Sequence, residues 1–339
     1  MKKYLNTLYV TTQGAYLNKE GESLLVNIEH EVKLRVPIHT LGSVVCFGSV
    51  MCSPYLMHHC AKNSVAMAFL SERGRFLARV EGPVSGNVLL RCEQCRRADD
   101  EAQSLEVARP IVMAKANNCR AVLRRRVRDY GETEALTVAI MRLDHVIKEV
   151  QTEPSLESLR GKEGDAGRVY FSAFNDLIRE QDGFTFTTRS RRPPMDRINA
   201  LLSFVYVLLA HDCAGALQGV GLDPQVGFLH RLRPGRSSLA LDLMEEFRSF
   251  FADRLVLSLI NLKQVNKKGF NITESGAVEM TDETRKTVLV AYQKRKQEEL
   301  MHPFVKEKAL LGICFHIQAQ LLARYLRGDL DGYPPMLWK

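Results

Sequence analysis

RFLARVEGPVSGNVLLRCEQCRR, residues 75–97, contains the point at which the hydrophobic period of this chain changes. Up to RFLARVEG the apolar residues fall in short alternating runs; after the turn EGPVSGN they recur at steps of three and four. Working back from that turn, EVKLRVP (31–37) sets Val32, Leu34 and Val36 on one face and Glu31, Lys33 and Arg35 on the other. This is the period of a half-buried strand. LNTLYV, ESLLVNIE, GSVVCFG and SVAMAFL repeat the signal, and turns such as NKEGE and SERGR separate the runs. A short helix is expected at SPYLMHHCAKN. Working forward, the segments 87–98, 101–130, 133–151, 155–180, 195–218, 237–262, 283–300 and 304–327 carry the helical period. NKKGFNITESGAVEMTD reads as a small hairpin and DGYPPMLWK as an irregular tail. The expected class is α+β: a mainly antiparallel β domain over 1–88, followed by a larger all-helical domain over 89–339.

A chain of 339 residues with 45% hydrophobic and 25% charged content is long enough to bury one or two cores. Its 47 basic against 39 acidic residues leave a net charge of +8, which suits a polyanionic partner and equally a merely basic soluble protein. MKKYLNTLYVTTQG lacks the apolar run of about 7–15 residues that a signal peptide needs. LLSFVYVLLA (201–210) is about half a membrane span. A cytoplasmic protein that does not enter the membrane is expected, with its eight cysteines reduced. Cys92 and Cys95 form a CxxC without a second ligand pair at zinc spacing.

Three constellations carry chemistry. In FLHRLRPGRSSLALDLMEEFR (228–248), His230 precedes a turn, and Asp242, Glu245 and Glu246 follow at i, i+3 and i+4 on a helix beginning near Ser238. Carboxylates this close repel, and a cation among them would relieve the repulsion. The other reading is a solvated acidic face neutralised by Arg248 and the arginines at 231, 233 and 236. In SLESLRGKEGDAGRVYFSAF (155–174), Glu163 sits among glycines that cost a helix interior about 1 kcal/mol each. Such glycines suggest the close approach of a backbone or a phosphate, although alone Glu163 reads as a surface glutamate. Tyr170, Phe171 and Phe174 form an aromatic surface or simply core. In TTRSRRPPMDRINALLSFVYVLL (187–209), Arg189, Arg191 and Arg192 precede two prolines, and a stiff loop presenting arginines can clamp phosphate or carry no ligand. CRAVLRRRVRDY (119–130) adds a basic helix face.

Taken in order, KEGDAGRVYF, RRPPMDRINALLSFVYVLL and HRLRPGRSSLALDLMEEFR resemble the two acidic motifs, the arginine-proline helix and the histidine of the CRISPR-associated integrase family. The DLMEEFR ending is similar to bacterial subtype I-C members. The resemblance implies a nuclease-integrase that joins the 3′-hydroxyl ends of captured DNA to a repeat array. It assigns Glu163, His230 and Glu245 as catalytic metal ligands, with Asp242 as a supporting or alternative carboxylate. Arg248, Arg189, Arg191, Arg192 and Tyr170 are the DNA-binding candidates. It further implies Mg²⁺ or Mn²⁺, double-stranded DNA as prespacer and repeat, a homodimer, and a small partner protein of the adaptation complex. The sequence contains no GxxxxGK[ST] loop, in keeping with a transesterification that needs no ATP. Two alternatives remain: a structure-selective metal-dependent DNA endonuclease, and a non-catalytic nucleic-acid-binding protein.

Overall fold

Alternating apolar residues near the N-terminus build two four-stranded sheets, and the 3.6-residue period beyond residue 87 builds helices. The computed structural model describes residues 6–338, apart from 64, 73–75, 81, 83–87, 180–182 and 192. Most of the turn 81–87 therefore falls outside the described residues. The chain divides into two compact units, 1–86 with 296–298, and 87–295 with 299–339.

The first unit contains β1 (Asn6–Val10), β2 (Tyr16–Glu20), β3 (Ser23–Ile28), β4 (Glu31–Pro37), β5 (Leu41–Phe47), β6 (Met51–Cys52), α1 (Pro54–Lys62), β7 (Ala66–Leu70) and β8 (Phe76–Val80). One sheet runs β4-β3-β2-β6 and the other β1-β5-β7-β8. Leu17 and Leu24 from the first and Val44 and Met67 from the second share one core with Leu56 and Cys60 of α1. The expected mainly antiparallel pairing needs correction. β2, β3 and β4 form an antiparallel meander and β7 pairs antiparallel with β8, but β1 with β5, β5 with β7, and β2 with β6 are parallel. Alternation reports which face is buried and says nothing of strand direction. Between β5 and β7 the chain crosses over through α1, which a parallel pair requires. β2 and β6 had no sequence signal, since YLNKE buries a single residue, Leu17, and β6 is two residues long. EVKLRVP is a strand, but as the edge strand β4 it leaves Val32 52% and Leu34 42% exposed.

The second unit contains α2 (Val88–Asp99), α3 (Glu101–Tyr130), α4 (Glu134–Val150), α5 (Leu156–Ser172), α6 (Arg197–Gly219), α7 (Ser238–Phe247) and α8 (Arg254–Asn261). After these come β9 (Phe270–Ile272), β10 (Val278–Met280), α9 (Asp282–Lys296), β11 (Glu299–Met301), β12 (Lys308–Leu310) and α10 (Leu311–Leu326). It is mostly helical, not all-helical: β9–β10 is the hairpin expected at 266–282, β11 takes the end of the expected helix 283–300, and β12 takes part of the start of the expected helix 304–327. Asp100 caps α3 by accepting from the N–H groups of Ala102 at 2.9 Å and Gln103 at 3.2 Å. This 30-residue helix packs against α4, α5 and α7. α6 is long and apolar enough to cross a membrane, yet Leu201, Leu202, Val205 and Leu209 are fully buried within the unit, where α6 packs on α7 and α10. The expected single helix over 237–262 is α7, a wide π-type turn at Arg248–Asp253, and α8.

Candidate metal centre

Two charged side chains interrupt otherwise apolar helix stripes. On α5, capped by Ser155, the inward positions Leu156, Leu159, Ala166 and Tyr170 are buried and Glu163 falls in line with them. On α3 the same holds for Lys115, between Ala108 and Ile111 on one side and Cys119 and Val122 on the other. Because α3 packs on α5 and α7, Lys115 Nζ ion-pairs with Glu163 Oε1 and lies 2.8 Å from Glu245 Oε2. Glu245 Oε1 accepts from Arg248 Nη1 at 2.6 Å. Burial alone would raise the Glu245 carboxyl, but Arg248, Lys115 and His230 together hold it below the ordinary carboxylate range. Burial would likewise lower Lys115, and Glu245 and Glu163 more than compensate, so the ammonium is retained.

Asp242, Glu245 and Glu246 are 0%, 2% and 0% exposed, which rules out the solvated acidic face. Each carboxylate has a different task. Asp242 Oδ2 accepts from the N–H groups of Phe228 at 2.7 Å and Leu229 at 3.0 Å. Its Oδ1 accepts from His230 N at 3.0 Å and lies 2.6 Å from His230 Nδ1. With the carboxylate accepting, Nδ1 carries a proton and the ring is held with Nε2 directed away from Asp242, the arrangement that orients a metal-binding imidazole. Gly227 makes this close approach possible, because a Cβ there would meet Asp242 Oδ2 at 2.8 Å and the backbone of Ser238 at 2.7 Å. Glu246 points the other way, accepting from Tyr333 Oη, from Gln318 Nε2 at 2.8 Å and from Met336 N at 2.7 Å. Its carboxyl is lifted to about 7 by burial, against the pull of those donors. Glu245 alone of the three meets Lys115 of α3 and Arg248 of the wide turn.

Among the described residues, no three His, Cys, Asp or Glu side chains gather closely enough to hold an ion as they stand. Glu163 and Glu245 are drawn together, but Lys115 lies between them, and His230 is turned toward Asp242. The donor set nevertheless fits a divalent cation. It offers two carboxylates and an imidazole nitrogen, Glu245 Oε2 is buried without an aligned hydrogen bond, and an ammonium already bridges the pair.

Lys115, Glu163 and Arg248 border a cavity of about 450 Å³ that Gly164, Gly167, Arg191 and Asp253 also line. The arginines of the 187–196 loop divide by role. Arg191 is exposed, while Arg189 donates to Asn199 Oδ1 at 2.6 Å and Ser203 Oγ at 3.1 Å, with its guanidinium 5.2 Å from the Tyr206 ring. Arg192 lies outside the described residues. Arg248 is 8% exposed, pairing with Glu245 and stacking 4.4 Å from the Tyr206 ring. Tyr170, expected at the DNA surface, is 1% exposed and packs edge-on against Phe171 and Phe174, so it bounds the cavity from the core. Asp253, at the end of the wide turn, accepts from Tyr206 Oη, and burial lifts its carboxyl to about 7. Lys115 and Asp253 lie outside the acidic and arginine motifs of the sequence. The available signal was a lone lysine within the apolar stripe of 101–130.

A sequence model of the family described as CRISPR associated protein Cas1 matches residues 8–294. The chain belongs to the Cas1 family. The CRISPR-associated endonuclease Cas1 1 of Chlorobaculum tepidum is 54% identical over the full length of both chains. Among solved structures, a CAS1 protein from Thermotoga maritima superposes on this Cas1 chain with a TM-score of 0.82 at 22% identity, covering 95% of this chain and 97% of that one. A casposase bound to integration product also reaches 0.82 at 22% identity, covering 98% and 94%. At that identity the two structures establish a shared fold.

Proposed function

We propose that this Cas1 protein is the metal-dependent DNA endonuclease and integrase of CRISPR adaptation, joining 3′-hydroxyl ends of captured DNA to a repeat array by transesterification. The observation that carries the reading is the half-buried Glu163 and the buried Glu245, brought from two helices to one cation at the wall of an arginine-bordered cavity. Glu163, His230 through Nε2, and Glu245 would hold Mg²⁺ or Mn²⁺, which supplies Lewis-acid stabilisation of charge on the reacting phosphodiester. Asp242 fixes the imidazole. Arg191 draws the phosphate backbone toward the cavity, and Arg248 keeps Glu245 ionised. In the reaction the 3′-oxygen forms one P–O bond as the existing strand's P–O bond breaks, and the released 3′-oxygen takes up the proton that the attacking hydroxyl loses. With water as nucleophile the same site nicks DNA, so the endonuclease reading is contained in the integrase reading.

The catalytic domain corresponds to residues 89–339 and the β domain to 1–88, with the protein acting in the cytoplasm as a homodimer alongside a small partner protein. The exposed apolar row of β4 supports the homodimer. The DLMEEFR ending supports subtype I-C. The test is an assay with supercoiled repeat DNA, Mg²⁺ or Mn²⁺, and a prespacer ending in either a 3′-hydroxyl or a 3′-deoxy sugar. Joined products are expected with the hydroxyl only, and Glu245→Gln should give none. Nicks without joined product would reduce the protein to an endonuclease, and DNA binding without metal-dependent cleavage to a binding protein.

A further inference from the structure

Lys115 is 6% exposed, and its ammonium joins Glu163 of α5 to Glu245 of α7. With Arg248 on the opposite oxygen of Glu245, two carboxylates face two cations, so the cluster is formally neutral. Uncompensated charge is costly in a buried site. A divalent ion entering between Glu163 and Glu245 would leave an excess of two positive charges unless one resident cation departs. Arg248 is held by Glu245 and by the Tyr206 ring, whereas among the described residues Lys115 pairs with Glu163 and Glu245, the ligands the ion would take. The space beside it is open as well. A Cβ built on Gly167 would meet nothing nearer than Lys115 Nζ, at 3.9 Å, and one on Gly164 would meet nothing within 4 Å. Both glycines and Lys115 line the cavity. We propose that Lys115 is a displaceable internal counter-ion, which holds Glu163 and Glu245 together in the metal-free protein and yields that place by swinging over Gly167 into the cavity. There its ammonium is available to a phosphate oxygen of the incoming DNA. The inference rests on the metal site argued above.

Calorimetric titration of the full chain with Mn²⁺ tests it. Wild type should bind, Glu163→Gln should not, and Lys115→Met should bind about tenfold more tightly, because the ion no longer displaces an ammonium. A lysine that merely positioned the carboxylates would instead lose affinity on substitution. Equal or weaker binding by Lys115→Met overturns the counter-ion while leaving the metal site intact; absence of binding by wild type overturns both. If Lys115→Met fails to fold, the ¹⁵Nζ resonance of Lys115 in the wild type, assigned through its loss in Lys115→Arg, gives the answer. It should move as Mg²⁺ saturates the site, and a resonance that stays fixed through saturation overturns the proposal.

Discussion

Asp242 accepts from three backbone N–H groups and from the imidazole, which leaves neither oxygen for an ion. Asp242→Asn should therefore weaken Mn²⁺ binding by about 10–100-fold, the usual cost of losing the partner that orients a ligand histidine, whereas Glu245→Gln should abolish binding. Calorimetry of the two variants separates these roles, and equal loss would make Asp242 a ligand. His230 and the acidic helix were legible in sequence because their spacing fits a motif. The choice among three neighbouring carboxylates was not, since it depends on which backbone amides and tyrosines each one meets. The arginines show the same limit. Arg189 and Arg191 read alike in sequence, yet Arg191 is exposed and Arg189 is half-buried. Arg191→Ala should lower the salt slope of DNA affinity by about one phosphate contact. Arg189→Ala should leave that slope unchanged and lower the melting temperature, because it removes donors to Asn199 and Ser203.

At the scale of elements, helices over 101–130 and 195–218 were legible because apolar residues recur every three or four positions over many turns, as in α3 and α6. The break in 237–262 was not, because a wide turn leaves the apolar pattern unbroken while adding one residue to the local hydrogen-bonded ring. That turn ends at Asp253, buried under Tyr206 and raised to about 7 from an ordinary 3.8. Between pH of about 4 and 7 the unfolded chain has released this proton while the folded chain retains it. The folded state binds more protons there, so the contribution of Asp253 to stability is greatest in acid and is lost as pH rises through 7. Asp253→Asn keeps an acceptor for Tyr206 and cannot ionise. In metal-free buffer its stability relative to wild type should improve from pH 5 to pH 8, by on the order of 2 kcal/mol. Parallel melting curves for the two proteins would contradict this. The glycines of α5 give a second prediction. Gly161 and Gly164 both have open space over the missing Cβ, but only Gly164 lines the cavity. Alanine at either should stabilise the helix by up to about 1 kcal/mol, and only Gly164→Ala should reduce strand joining.

For the molecule as a whole, a net charge of +8 accounts for attraction to DNA but leaves the assembly unspecified. The edge of the first sheet is more informative. β4 pairs with β3 on one side only, and its alternation, which in sequence implied a covered face, instead presents Val32 and Leu34 to solvent. An exposed apolar strand edge is a liability that proteins usually blunt with charge, bulges or a covering element. A second copy of the chain meeting this face would supply the cover, consistent with a closed two-fold pair. Burying Val32 and Leu34 in both copies is worth roughly 1.5–3 kcal/mol per side chain at most, part of it offset by the entropy of association. Replacing both with lysine removes that gain and places like charges opposite one another across the two-fold axis. Sedimentation at micromolar concentration should show a dimer for wild type and a monomer for the Val32→Lys/Leu34→Lys double variant. The helical unit of the variant should keep its Mn²⁺ affinity, because the proposed ligands at 163, 230 and 245 lie in the other compact unit. A double variant that remains dimeric would move the interface away from β4, and loss of Mn²⁺ affinity along with the dimer would mean that the metal centre is assembled only in the paired protein.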